Sequence, residues 1–120
     1  DDVLRFTTML LSEVVDELGS SSDFIGHAGG DNFIIITKYE SMAAIRERIK
    51  TRFAEEVQTH YNFMDRQQGF IQVPKSEGGI AHVPFMTLAI GMVSPTQQSF
   101  SDIREITELA AEARRLDAAA

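Results

Sequence analysis

Apolar positions recur at helical spacing in three parts of the chain, which predicts three amphipathic helices. The first helix runs from Val3 to Leu18 and stops at Gly19. The second begins with Ser41 as its N-cap, extends to about His60, and presents one apolar face made of Met42, Ile45, Ile49, Phe53 and Val57. The third begins after Ser101 and presents Ile103, Ile106, Leu109, Ala110, Ala113 and Leu116.

Shorter apolar runs bounded by turn residues predict strands. Residues 24–28 and 33–37 form a β-hairpin, and residues 69–73 form a further strand. Residues 84–93 are apolar at successive positions, which is typical of a strand covered on both faces. The segments predicted as loops are residues 65–69 and 74–83. The order helix, hairpin, helix, strands, helix indicates an α+β fold in which helices pack on an antiparallel sheet.

The composition limits the classes of function. With 120 residues, of which 43% are hydrophobic, the chain forms a single domain over residues 1–120. Eleven basic and 18 acidic residues give a formal charge of −7, which repels a nucleic-acid backbone, so we expect no nucleic-acid partner. The absence of cysteine excludes disulfides and thiolate metal sites. No apolar run approaches the length of a membrane span and no signal-peptide pattern is present, so we expect a cytoplasmic chain with no membrane segment.

The turn of the predicted hairpin carries the candidate chemistry. Gly29 and Gly30 adopt positive φ at little cost and leave no Cβ between the backbone and a ligand such as a phosphate. Asp31 adds a carboxylate, which could hold the divalent metal that a phosphate needs. The alternative is purely structural, because many hairpins use Gly-Gly in their turns. His27 has no partner at metal-ligand spacing and is interpreted as a packed or surface histidine.

Three segments together resemble the GGDEF domain of bacterial diguanylate cyclases. They are Asp2-Val-Leu-Arg-Phe6 with the helix that follows, Phe24-Ile-Gly-His-Ala-Gly-Gly-Asp-Asn-Phe33, and Phe85-Met-Thr-Leu-Ala-Ile-Gly-Met-Val93 with a helix ending Ala110-Ala-Glu-Ala-Arg114. The resemblance implies a nucleotide-cyclase palm, a ferredoxin-like antiparallel sheet with helices packed on it. It further implies signal transduction under an upstream sensory or receiver domain, as in response regulators, with condensation of two GTP molecules into cyclic di-GMP by Mg²⁺-dependent phosphoryl transfer.

The resemblance also implies roles for individual residues. Gly29 and Gly30 match the glycines that approach the phosphates, and Asp31 matches the first acidic position of the motif, a metal ligand. Arg114 or Arg115 matches a phosphate-neutralising basic position near the end of the domain. The alternative for these two arginines is a solvated helix end, where basic residues are favoured.

The chain departs from the family at the second acidic position of the motif, which is catalytic in the family and is Asn32 here. An amide carries no charge and cannot replace a carboxylate as anionic metal ligand or proton acceptor. The family's product-inhibition motif, Arg-x-x-Asp, corresponds here to Ser20 and Asp23, so the arginine is lost. We therefore expect this chain to be catalytically inactive and to lack the inhibitory site.

A further departure concerns the first strand of the family, which bears another metal-binding aspartate and precedes the region that Asp2–Arg5 matches. The chain begins at Asp1, so we expect an N-terminally truncated domain, either natural or made in the laboratory. A missing first strand would leave sheet edges unpaired and reduce stability. The corresponding expectation is self-association or strand exchange.

Three hypotheses follow. The chain is a degenerate GGDEF signalling domain with residual GTP and Mg²⁺ affinity through Gly29, Gly30 and Asp31. Alternatively, it is a fragment of an active diguanylate cyclase whose full-length form tolerates Asn32. The third hypothesis is a ferredoxin-like regulatory domain that shares only the topology and binds a small ligand without magnesium.

Overall fold

The computed structural model describes residues 2–96 and 99–120, and its architecture is α+β as predicted. Over these residues the chain forms four α-helices, one 3-10 turn and four short strands. In chain order they are α1 (Asp2–Leu18), β1 (Phe24–His27), β2 (Phe33–Ile36), α2 (Tyr39–Glu56), the 3-10 turn (Val57–His60), α3 (Phe63–Gln68), β3 (Ile71–Pro74), β4 (Ile80–Val83) and α4 (Ile103–Ala119). Among the described residues, no helix combines the length and the hydropathy needed to cross a membrane.

The core lies between α1 and α2. Their facing apolar side chains form one buried cluster of Leu10, Leu11, Val14, Ile45, Ile49, Phe53 and Val57. Four of the five apolar residues predicted on the second helix are in this cluster, as the helical periodicity requires. The cluster is extended by the inner face of the first hairpin and by the segment after β4, which contribute Ile25, Phe33, Ile35, Leu88 and Ile90.

The strands pair into two separate two-stranded antiparallel sheets. In the first, β1 and β2 form the predicted hairpin, with Phe24 opposite Ile36 and His27 opposite Phe33. In the second, β3 pairs with β4, so that Ile71 lies opposite Val83. The prediction of the first hairpin is confirmed, whereas the loop predicted over residues 74–83 is wrong in its second half, because residues 80–83 form β4.

The strand predicted over residues 84–93 is absent from both sheets, and this prediction is wrong. A strand needs a neighbouring backbone to receive its hydrogen bonds, and two of these amides use side chains instead. Met86 N–H donates to the Tyr61 hydroxyl at 3.0 Å, and Ile90 N–H donates to an Asp117 carboxylate oxygen at 2.7 Å. The run is apolar because it packs between the helical core and α4, not because it lies within a sheet.

The start of α2 and the presence of α3 also differ from the prediction. Helix α2 begins at Tyr39, with Lys38 at the N-cap and no side-chain cap, so Ser41 is not the cap. Ser41 N–H already bonds to the Lys38 carbonyl at 3.0 Å, which places it inside the first turn. The segment predicted as a loop over residues 65–69 contains most of α3, whose N-cap Asn62 accepts from Asp65 N–H at 2.8 Å.

Gly91 marks the closest approach between residues 84–93 and α4. A Cβ at this position would lie 2.3 Å from the amide nitrogen of Arg114, 2.7 Å from the carbonyl carbon of Ala113 and 2.8 Å from the carbonyl oxygen of Ala110. All three are backbone atoms of a helix, which cannot move independently of one another. The glycine of the Leu-Ala-Ile-Gly-Met run is therefore required for helix packing.

We expect Gly91→Ala to lower the free energy of unfolding by about 1–3 kcal/mol, because the added methyl group must displace helical backbone. Urea unfolding followed by circular dichroism measures this loss. Thr87→Ala, an exposed change in the same segment, is the matched control and should stay within about 0.5 kcal/mol of the unchanged protein. Equal stabilities of the Gly91 variant and the control would contradict the packing role.

Candidate functional site: the tip of the first hairpin

The tip of the first hairpin is an open turn formed by residues 28–32. Ala28 N–H donates to the Asn32 carbonyl at 2.8 Å, and Asn32 N–H donates to the Gly29 carbonyl at 3.0 Å. Gly29 and Gly30 have φ of 98° and 55°, a region that favours glycine. Nothing lies within 4 Å of a Cβ built on either glycine. The turn therefore exposes bare backbone, as a phosphate-approaching loop requires.

Sequence reasoning missed the part that His27 has in holding this turn. Its Nε2 lies 2.7 Å from the Gly30 carbonyl oxygen, and its ring stacks on Phe33 with centroids 4.7 Å apart. His27 and Phe33 are directly opposite in the ladder, and such cross-strand pairs stabilise hairpins. The sequence did contain a signal for this contact, namely an aromatic ring at each end of the five-residue turn, His27 and Phe33. The histidine is at the surface, in agreement with its interpretation from the sequence.

The structure places one of the two predicted arginines at the tip. Arg114 Nη1 lies 2.5 Å from the Asn32 side-chain oxygen, joining α4 to the hairpin across 82 positions of sequence. Arg115 bonds instead to Glu112 on its own helix at 2.6 Å, and both side chains are more than half exposed. The tip thus combines a guanidinium, the exposed carboxylate of Asp31 and two unobstructed glycines.

The side chains at this tip offer few ligands for a metal ion. In the described ranges, no three His, Cys, Asp or Glu side chains come together as a group that could hold one. The Asn32 side-chain oxygen is already an acceptor for Arg114. Mg²⁺ is commonly held by one or two carboxylates together with nucleotide phosphates and water. Asp31 could supply the one carboxylate of such a Mg²⁺ site. The described residues of the tip do not supply enough ligands to hold the ion when no nucleotide is bound.

The carboxylate of Asp23, at the base of the hairpin, is hydrogen-bonded to neighbouring loop residues. Its carboxylate accepts from the Thr37 hydroxyl at 2.7 Å, from Ser20 N–H at 3.1 Å and from the Ser20 hydroxyl at 3.0 Å. The bond from Thr37 is the main cause that lowers the pKa of Asp23 below its usual value. Asp23 therefore ties the chain before β1 to the chain after β2.

The interior clefts are separate from the tip. A cleft of about 420 Å³ lies between α2, residues 87–89 and the end of α4, and no residue of the tip lines it. Its walls include Phe53, Leu88 and Asp117, which belong to the core and to the contact between α2 and α4. The open backbone and the Asp31 carboxylate of the hairpin tip lie at the surface, apart from this cleft.

No family model, curated protein or solved structure matches this chain.

Proposed function

We propose that this chain is a degenerate GGDEF-type signalling domain that binds GTP with Mg²⁺ at the hairpin tip and does not convert it to cyclic di-GMP. One observation carries the proposal. Asn32 is at the position where the family has a catalytic acid, and its side-chain oxygen accepts a hydrogen bond from Arg114. This position therefore links the tip to α4, and Asp31 is left as the carboxylate available to a metal ion.

The side chains at the tip are better suited to binding GTP than to converting it to cyclic di-GMP. Phosphoryl transfer depends on positioned metal ions and cations that neutralise the developing charge. Asp31 would supply one negative charge to Mg²⁺, and Arg114 brings a positive charge to Asn32, the next residue of the tip. An amide neighbour adds no charge to the metal. We infer that α4 would sense bound GTP, because the bond from Arg114 to Asn32 joins this helix to the tip.

We expect Asp31→Ala to weaken Mg²⁺-dependent GTP binding at least tenfold, because it removes the carboxylate that would hold the ion. Titration with a fluorescent GTP analogue, with Mg²⁺ and with EDTA, measures this loss. Asp16→Ala, which removes an exposed carboxylate from α1, is the matched control and should change the affinity less than twofold. The same samples, incubated with GTP and Mg²⁺, should contain no cyclic di-GMP by chromatography.

Two results would decide against this proposal. Equal GTP binding in Mg²⁺ and in EDTA, or equal effects of the two aspartate substitutions, would remove the tip as the nucleotide site. Formation of cyclic di-GMP that disappears in Asp31→Ala would overturn the non-catalytic assignment and favour an active cyclase that tolerates Asn32.

A further inference from the structure

Arg114, near the end of α4, is a partly buried cation without an acidic partner. Its guanidinium bonds to the Asn32 side-chain oxygen, and no ion pair among the described residues includes it. Asn32 is a neutral amide, so this bond lacks the attraction between opposite charges. One such bond does not hold a helix against a hairpin. The position of Arg114 therefore depends on what holds α4.

Buried apolar side chains do not hold α4. None of its described residues is buried, and the apolar side chains packed on the core cluster come from other parts of the described chain. Ile103 and Leu116 of this helix are 74% and 65% exposed. Apolar burial therefore stabilises the position of α4 less than it stabilises the contact between α1 and α2. Specific polar and backbone contacts set where this helix lies.

Asp117 makes the strongest of these contacts. Its carboxylate accepts from Arg46 at 2.6 Å and from Lys50 at 2.7 Å, both on α2, and from Ile90 N–H at 2.7 Å. The side chain is 13% exposed, which limits the screening of these charges by water. Two ion pairs and an amide bond outweigh the single bond of Arg114 to a neutral acceptor. Asp117 therefore fixes the last turns of α4.

The rotation of α4 decides whether Arg114 reaches the tip. Arg114 and Asp117 are three residues apart and lie on neighbouring parts of one helix face. Gly91 supports the helix from below, since a Cβ there would lie 2.3 Å from the Arg114 amide nitrogen. This support leaves the helix free to turn about its axis. A turn of about 30° moves a side-chain end about 5–6 Å from the axis by about 3 Å, which breaks a hydrogen bond.

We infer that Asp117 is a positioning residue, which holds the Arg114 guanidinium at the hairpin tip by fixing the rotation of α4. Its effect on GTP rests on the proposed function, because Asp117 contributes to the affinity only through Arg114. The same carboxylate bonds to Arg46 and Lys50, so it also links the tip to α2. Weakening of these ion pairs moves Arg114 relative to Asn32.

Cross-linking between α4 and the tip tests this positioning without GTP. The chain has no cysteine, so a bis-maleimide joins only the pair introduced by Asn32→Cys and Arg114→Cys. We expect the further change Asp117→Asn to slow intramolecular cross-linking at least threefold. The controls are Glu112→Ala, which removes an exposed carboxylate from α4, and Val15→Ala, which truncates a buried side chain of α1 and lowers stability. Both should change the rate less than twofold, and circular dichroism confirms that each variant is folded.

The affinity for GTP tests whether Asp117 acts through Arg114. We expect Arg114→Ala and Asp117→Asn each to weaken Mg²⁺-dependent binding of the fluorescent GTP analogue at least threefold. The double variant should bind within twofold of Arg114→Ala alone, because the two changes remove the same contact.

Three results would overturn the inference. They are unchanged cross-linking in Asp117→Asn, equal slowing by Val15→Ala, and additive losses of affinity in the variant that combines Asp117→Asn with Arg114→Ala. A chain that binds no GTP would overturn the nucleotide proposal instead, and the cross-linking rates would still decide the role of Asp117.

Discussion

Replacing Phe53 by alanine is expected to lower the free energy of unfolding by about 3–5 kcal/mol. Phe53 is 2% exposed and is among the largest fully buried side chains of the described residues. Its ring lies 5.7 Å from that of Phe6, centroid to centroid, and so joins α2 to α1. Truncation removes this contact and leaves a cavity, which the surrounding helices can fill only in part.

The loss expected for Phe53→Ala is large relative to the total free energy of unfolding. A domain of this length is stable by roughly 6–18 kcal/mol, at about 0.05–0.15 kcal/mol per residue. The core is small, since the described buried hydrophobic residues are Leu10, Leu11, Val14, Val15, Ile45, Ile49, Phe53 and Val57. One member of such a core therefore supplies a substantial share of the stability.

Urea unfolding followed by far-ultraviolet circular dichroism measures the effect of Phe53→Ala. The matched control is Phe63→Ala, because Phe63 begins α3 with 64% of its side chain exposed. The control should change the free energy of unfolding by less than about 0.5 kcal/mol. Comparable losses in the two variants would show that the contact between α1 and α2 is not the principal core.

The sequence predicted the features that depend on near neighbours. The face of α2 could be inferred because Ile45, Ile49 and Phe53 recur at helical spacing, and the hairpin because paired glycines separate two short apolar runs. The apolar run at residues 84–93 was misinterpreted because strand formation requires a partner that may lie anywhere in the chain. An apolar segment between two layers of helix has the same local pattern as a buried strand.

In the candidate site too, the residues that are adjacent in sequence were predicted, and the contact between distant segments was not. Gly29, Gly30 and Asp31 were predicted together because they share one turn. The family resemblance suggested Arg114 or Arg115 as a basic residue near this site, and only the packing of α4 shows that Arg114 is the one that reaches the tip. The bond from Arg114 to Asn32 spans 82 positions, and no pattern within either segment predicts it.

Asp117 is the structural residue that sequence reasoning missed. Its carboxylate accepts from Arg46 at 2.6 Å, Lys50 at 2.7 Å and Ile90 N–H at 2.7 Å, so it joins α4 to α2 and to the segment after β4. The side chain is 13% exposed. An acid in the last turn of a helix is disfavoured by the helix dipole. An acidic residue at this unfavourable position, together with the Arg and Lys residues of the predicted second helix, could have indicated an ion pair between the two helices.

We expect Asp117→Ala to lower the free energy of unfolding by about 2–3 kcal/mol at neutral pH, because a largely buried carboxylate with charged partners is lost. The substitution also leaves Ile90 N–H without its acceptor. Urea unfolding measures this loss. Glu112→Ala on the same helix removes a carboxylate that is 55% exposed and paired only with Arg115 in the described structure, and should cost less than about 1 kcal/mol.

The pH dependence distinguishes the charge of Asp117 from its packing. Hydrogen bonding from Lys50, then from the Ile90 amide, lowers the pKa of Asp117 from 3.8 to about 2. A carboxyl group with a depressed folded-state pKa stabilises the protein above its unfolded-state pKa, and this stabilisation is lost as the pH falls through the folded-state value. The difference in stability between the unchanged protein and Asp117→Asn should therefore be constant above about pH 5 and shrink between about pH 4 and 2. A difference that does not vary with pH would show that the contact depends on shape and not on charge.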